Sequence, residues 1–305
     1  MAQSRAAPGP APVATLSVMT ASIPPSPSHV VPSRDGTPIA VFSERTAPGE
    51  DREDRRGPPI LLVHGTGSDH TTWRVVAPLL ADYPVHALDR RGRGASGDAP
   101  AYAAGREAED IAAVAEALAA GHGTGITVAG HSLGGRLALA AALRTDAVAR
   151  VLAYEGAPGQ RTDPAAVEHE ALLSRLRAGL ERGDQDAVLV AFMLEAAGLP
   201  PDELTAFRAS DLWPRRAATA PQIVRELDAA LHDDAIGLEA LSRVTQPVLQ
   251  LTGSRSPARF GEAAAALHAR LAGGQLVTIE GALHAAHHSH PAAFAEALRR
   301  FADGG

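Results

Sequence analysis

The chain of 305 residues contains no cysteine. Disulfides, thiolate nucleophiles, iron–sulfur clusters and Cys-ligated zinc are therefore excluded. Lysine is absent as well, and all 28 basic residues are arginine. This removes Schiff-base catalysis, pyridoxal phosphate chemistry and a P-loop lysine, and leaves a covalent mechanism to Ser, Thr, Asp, Glu, His or Tyr. No apolar run approaches the roughly 20 residues that span a bilayer. The first residues lack a basic stretch followed by a compact apolar one, as a secretory signal would have, so cytoplasmic residence is the expectation. Excess positive charge is also lacking. A net charge of -7 and a pI near 6.0 work against binding to nucleic acid or anionic membranes, which attract clustered cations. A small-molecule partner is expected, and the sequence leaves the oligomeric state open.

What is present describes a folded chain, with 45% hydrophobic and 21% charged residues. Residues 1–28, rich in Pro, Ala and Ser, read as a flexible tail outside the fold. HVVPSRDGTPIAVFSE has two alternating runs around Asp35-Gly36, the mark of an antiparallel hairpin. The charged segment APGEDREDRRGPP reads as a surface connection. ILLVHG, YPVHALD, GITVAG and VARVLAYEG are apolar runs suited to strands buried on both faces. Between them HTTWRVVAPLLAD, REAEDIAAVAEALAA and SLGGRLALAAALRT have helical spacing. Such alternation predicts an α/β fold with a mostly parallel twisted sheet and helices on both faces. From 157 to 243 strand patterns stop and short helical segments follow one another. The alternation resumes with PVLQLTG, a helix over 261–271, QLVTIEG and a last helix over 291–301. The expected organisation is a core of 29–156 and 244–305 interrupted by a helical cap at 157–243.

The strand GITVAG runs straight into Gly130-His131-Ser132-Leu133-Gly134 and then a helix. In that setting G-x-S-x-G places a serine on a strained turn at the carboxyl edge of a sheet, with helix amides aimed at the same spot. The flanking glycines remove Cβ atoms that would clash with neighbouring backbone. Ser132 is the candidate nucleophile.

With His64-Gly65-Thr66-Gly67 and Asp89-Arg90-Arg91-Gly92-Arg93-Gly94-Ala95-Ser96 preceding the serine turn, the chain resembles the α/β-hydrolase fold family, in its serine-nucleophile branch. The resemblance covers 29–156 and 244–305. It implies that the backbone N–H groups of Thr66 and Leu133 form an oxyanion hole, and that the arginine-rich loop mainly shapes the sheet edge. It also implies that His284, just beyond QLVTIEG, is the general base. The surrounding HAAHHSH could offer imidazoles to a metal, but no acid within it completes a common ligand set, so neither metal nor organic cofactor is expected. The neighbouring histidines are expected to be solvated or to line the entrance.

Many members of the family place the acid a few residues beyond the strand matched by PVLQLTG. Here Ser256 stands roughly at that place, and Glu262 is already within the expected helix. Some members carry the acid one strand earlier, where VLAYEG ends in Glu155. Glu155 is therefore the candidate acid, with Asp233, Asp234 or no acid as alternatives. Apolar cap residues Phe192, Met193 and Trp213, together with Trp73, are candidates to line the substrate pocket, although such residues also build cores. The expected activity is hydrolysis of a carboxylic ester, lactone or thioester through an acyl-enzyme on Ser132. A carbon–carbon bond hydrolase, a cyclase and a ligand-binding regulator with weak turnover are the alternatives.

Overall fold

The computed structural model describes residues 26–43, 57–159 and 164–305. The expected tail lies outside the described residues apart from 26–28, and the charged connection apart from 57–59. Eight strands, β1 (His29–Pro32), β2 (Pro38–Ser43), β3 (Ile60–Val63), β4 (Val85–Leu88), β5 (Ile126–His131), β6 (Val148–Tyr154), β7 (Val248–Gly253) and β8 (Gly274–Ile279), form one sheet. Their spatial order is β1-β2-β4-β3-β5-β6-β7-β8. The Asp35-Gly36 turn makes β1 and β2 antiparallel, and β2 also runs antiparallel to β4. All remaining neighbours are parallel. Every residue of ILLV in β3 and VHAL in β4 is buried, as two covered faces require.

The core helices are α1 (Ala104–His122) and α2 (Leu133–Ala142), and an insertion between β6 and β7 supplies α3 (Pro164–Glu181), α4 (Gln185–Ala191), α5 (Pro201–Arg208), α6 (Trp213–Ala217), α7 (Ala220–His232) and α8 (Leu238–Leu241). The chain finishes with α9 (Ala258–His268), α10 (Ala286–Ser289) and α11 (Pro291–Ala302). One apolar layer packs α1, α2 and α9 on one face of the sheet, and a second packs Trp73, Phe294, Leu298 and Phe301 on the other. The insertion has an apolar cluster of its own around Leu172, Leu173, Leu176, Leu189 and Ile223. No helix among the described residues is long and apolar enough to cross a membrane.

Local structure departs from the sequence reading in two places. The segment with helical spacing after β3 forms two 3-10 stretches, His70–Val75 and Ala77–Leu80, instead of one helix. Pro78 cannot donate to an α-helical ladder and disfavours helical geometry in the residue before it. α6, α8 and α10 are too short to leave a periodic signal.

The three arginines after β4 are buried against acids. Arg90 makes a bidentate pair with Glu107 at 2.7 Å for both bonds, and Arg91 pairs with Asp110 at 2.7 and 2.6 Å. Arg93 and Arg90 both reach Glu226 on α7. Asp69 accepts Arg216 at 3.3 Å and Arg215 at 2.7 Å from α6. The loop at the sheet edge thus fastens the helical insertion to the sheet through charges that are paired rather than displayed.

Candidate active site

The parallel registers bring the carboxyl ends of β5, β6 and β7 to one rim: His131 lies opposite Tyr154, and Tyr154 opposite Leu251. Ser132 follows β5 with φ 53° and ψ -125°, and Glu155 follows β6 with φ 47°. Among the described residues these are the two non-glycine positions with positive φ. Such conformations cost on the order of 1–3 kcal/mol and survive where surrounding packing enforces them. The serine turn shows how. A Cβ on Gly130 would lie 2.4 Å from the Gly134 oxygen, and one on Gly134 would lie 2.4 Å from the carbonyls of Val63 and His64. The Ser132 N–H donates to Tyr154 O at 2.8 Å, tying the turn to the neighbouring strand.

His284 Nδ1 lies 2.5 Å from Glu155 Oε2. The other carboxylate oxygen accepts the Gly253 N–H at 2.8 Å, so the strand end that often bears the acid contributes a backbone amide to the glutamate instead. A side chain at Gly253 is excluded, since its Cβ would sit 2.4 Å from Ala282 O. Glu155 is buried and its carboxylate fully paired. Asp233 is committed elsewhere, capping Ala235 N and accepting from Gly105 N.

The loop carrying His284 is held from several sides. Tyr154 donates its hydroxyl to Leu283 O at 2.5 Å, Arg255 N–H donates to Ala282 O at 2.9 Å, and Gly281 N–H donates to Ser254 Oγ at 2.8 Å. His131 Nε2–H donates to His284 O at 2.7 Å, which assigns the His131 tautomer, and burial keeps that imidazole well below its usual pKa and neutral. Phe260 stacks on the His284 ring at 4.2 Å and 13°. Rotation of the imidazole is therefore opposed by an aromatic plane on one side and a carboxylate at its edge.

A cavity of about 110 Å³ opens at this rim, lined among others by Thr66, Ser132, Leu133, Glu155 and His284. Leu133 is the first residue of α2, where an N–H has no intrahelical acceptor. Gly65 lets the preceding loop close on the turn, as a Cβ there would be 3.2 Å from Ser132 Cβ.

The proposed lining residues divide. Phe192 lines the cavity. Trp73 does not: it is fully buried beneath the sheet, packed on His287 at 4.9 Å and Phe294 at 5.9 Å. Trp213 belongs to the insertion's own core, edge-on to Phe207, and its indole N–H is taken by Asp186 Oδ1 at 2.7 Å. Met193 is partly buried and faces the Gly67 turn rather than the cavity. Trp73 fills the core beneath the sheet and Trp213 the separate core that the insertion needs.

Of the histidines after His284, His287 and His288 depart from the expected solvated or entrance-lining placement, whereas His290 is partly exposed. His287 is buried against Trp73 and His131, and both its Nε2 and that of His288 meet Thr72 Oγ1, at 3.1 and 2.9 Å. Burial pushes His288 down to about 4 and His287 well below its usual range. Sequence reading also missed Arg136, on the cavity wall four residues after Ser132, and His131, which lies inside the serine motif itself. The i,i+4 spacing was the signal for the former.

The sequence pattern of the alpha/beta hydrolase family matches residues 60–297. A relative from Neisseria meningitidis serogroup B named pimeloyl-[acyl-carrier protein] methyl ester esterase is 34% identical over 262 residues, covering 81% of this chain and 93% of the relative. The crystal structure of an alpha/beta hydrolase from Sphaerobacter thermophilus superposes with a TM-score of 0.72 at 31% identity, over 90% of this chain and 99% of that one. An esterase from Exiguobacterium antarcticum shares the fold with a TM-score of 0.70 at 21% identity, over 90% and 99% of the two chains. The chain belongs to the alpha/beta hydrolase family and is an enzyme of the carboxylic ester hydrolase type.

Proposed function

We propose that the protein hydrolyses a carboxylic ester through an acyl-enzyme on Ser132. The observation that carries this reading is the Glu155–His284 contact of 2.5 Å beside the strained serine turn. The carboxylate holds the imidazole proton on Nδ1 and leaves Nε2 with a lone pair. Nε2 takes the Ser132 proton as Oγ attacks the carbonyl carbon. The resulting oxyanion is met by the Thr66 and Leu133 amides, a class of donor whose individual loss typically costs about 10²- to 10³-fold in rate. The carbon–oxygen bond of the ester breaks, the leaving alcohol takes the proton from His284, and water repeats the sequence to release the acid. Phe192, Ala196, Leu227 and Ala230 of the insertion line the cavity, which supports reading 157–243 as a cap that sets the substrate.

The name of the meningococcal relative makes methyl esters the first substrates to try. A turnover-free receptor loses its ground here, because the acid position empty after β7 is supplied from β6. The test is a fluorophosphonate probe together with an aryl ester. Stoichiometric labelling of Ser132, and loss of both label and hydrolysis in Ser132→Ala, is expected. Hydrolysis that persists in Ser132→Ala would overturn the proposal.

A further inference from the structure

The charges around the cavity do not balance. Two carboxylates reach its wall, and both are committed: Glu155 to His284 and Gly253 N–H, and Glu226 to Arg90 and Arg93. His169, also on the wall, is held below its usual pKa first by burial and then by Arg259 and Arg136, which favours its neutral form. Arg136 is different. Among the described residues its side chain has one bond, from Nη1 to the Ala230 carbonyl at 2.9 Å, and no carboxylate within ion-pair distance. Burial alone pushes its guanidinium down to about 10, so it remains a cation at neutral pH, held there without a counter-charge.

A half-buried cation lacking an acid is costly unless something else completes it. Arg136 is in the first turn of α2, the helix that Ser132 caps. Arg136 lines the same small cavity as Ser132. A guanidinium fork matches a carboxylate in a bidentate pair. One uncompensated positive charge in about 110 Å³ fits a monoanion, whereas a dianionic phosphoryl group would leave a negative charge unpaired.

We infer that Arg136 binds a free carboxylate carried by the substrate, so that the enzyme prefers carboxylate-bearing esters, such as hemiesters of short dicarboxylic acids, over neutral esters of the same length. The inference rests on the esterase reading. Its first test compares p-nitrophenyl hemiglutarate with p-nitrophenyl valerate in the wild-type protein, and a 3-hydroxybutyrate acetyl ester with sec-butyl acetate, to place the carboxylate on the acyl or the alcohol side.

A preference in kcat/KM of roughly tenfold or more for the charged member of one pair is expected, arising in KM and collapsing in Arg136→Gln. Equal rates within both pairs, or a preference that survives in Arg136→Gln, would overturn it. A separate readout needs no turnover: glutarate binding to Ser132→Ala by calorimetry, with the double variant Ser132→Ala/Arg136→Gln as control. Binding lost only in the double variant supports the carboxylate site even if Ser132 proves not to acylate. Absence of binding in Ser132→Ala, or equal binding in both, sinks the carboxylate site while leaving the esterase reading standing.

Discussion

Glu155 Oε2 and His284 Nδ1 meet at 2.5 Å across 129 residues of sequence, and Gly253, from the strand between their two strands, donates its amide to the other oxygen of the same carboxylate. The proposed acid, the proposed base and the backbone donor come from the ends of, or the loop after, three consecutive sheet strands. Glu155→Gln is expected to cut turnover of an aryl ester at least about 100-fold, since loss of the carboxylate in a comparable triad costs about 10⁴ in rate. The thermal transition should remain cooperative. Near-normal steady-state rates in the purified variant would remove the acid role.

The serine turn depends on backbone contact that leaves no room for a methyl group. Gly134→Ala would put Cβ 2.4 Å from two carbonyl oxygens of β3 and its following loop. Overpacking of this kind typically costs about 1–3 kcal/mol. Urea denaturation should show a loss of that size, accompanied by slower fluorophosphonate labelling of Ser132; unchanged stability and labelling would mean the turn can relax.

Glu226 on α7 neutralises Arg90 and Arg93, all three being buried. Glu226→Gln leaves a buried positive charge uncompensated, and breaking such a group by removing one partner costs about 3–5 kcal/mol. The expected signature is a lower denaturation midpoint with earlier proteolytic cleavage in the insertion. A variant as stable as the parent would mean that water reaches the pair.

Stability should fall in mild acid. His288 is depressed to about 4, and His131 and His287 lie well below their usual value, all with burial as the leading cause. An unfolded chain takes up these protons near pH 6.5, whereas the folded one resists until far lower, so the unfolded state binds more protons in between and stability rises with pH there. It is complete above about pH 6.5 and declines as pH falls towards 4. Asp69, held at about 2 by Arg216 and Thr71 against the opposing effect of burial, keeps its charge throughout this window and contributes loss only below about pH 4. Calorimetric melting temperatures at pH 7.5, 6 and 5 should drop progressively, and His288→Gln should shallow the slope. A flat profile would show these imidazoles to be solvated.

The candidate nucleophile and base were legible because each sits in a local pattern, a strand entering a glycine-bounded turn for Ser132 and a strand end for His284. Glu155 was legible as a strand-end acid next in order. Its contact with His284 was not, because that depends on β6, β7 and β8 lying side by side in register. Trp73 and Trp213 show the opposite limit: an aromatic residue looks the same in a sequence whether it lines a pocket or fills a core, and only packing separates the two.

The sequence by itself determined the alternation of strands and helices, the glycine-flanked serine turn, and the absence of any thiol or amine chemistry, since these depend on residue identity and near neighbours. Tertiary structure decided which charges find partners. Arg90, Arg91 and Arg93 are neutralised by Glu107, Asp110 and Glu226, while Arg136, in an equally ordinary stretch of helix, lines the cavity with no acid partner among the described residues. Coulomb energy and desolvation are set by distances between groups remote along the chain, and those distances exist only after the chain has folded.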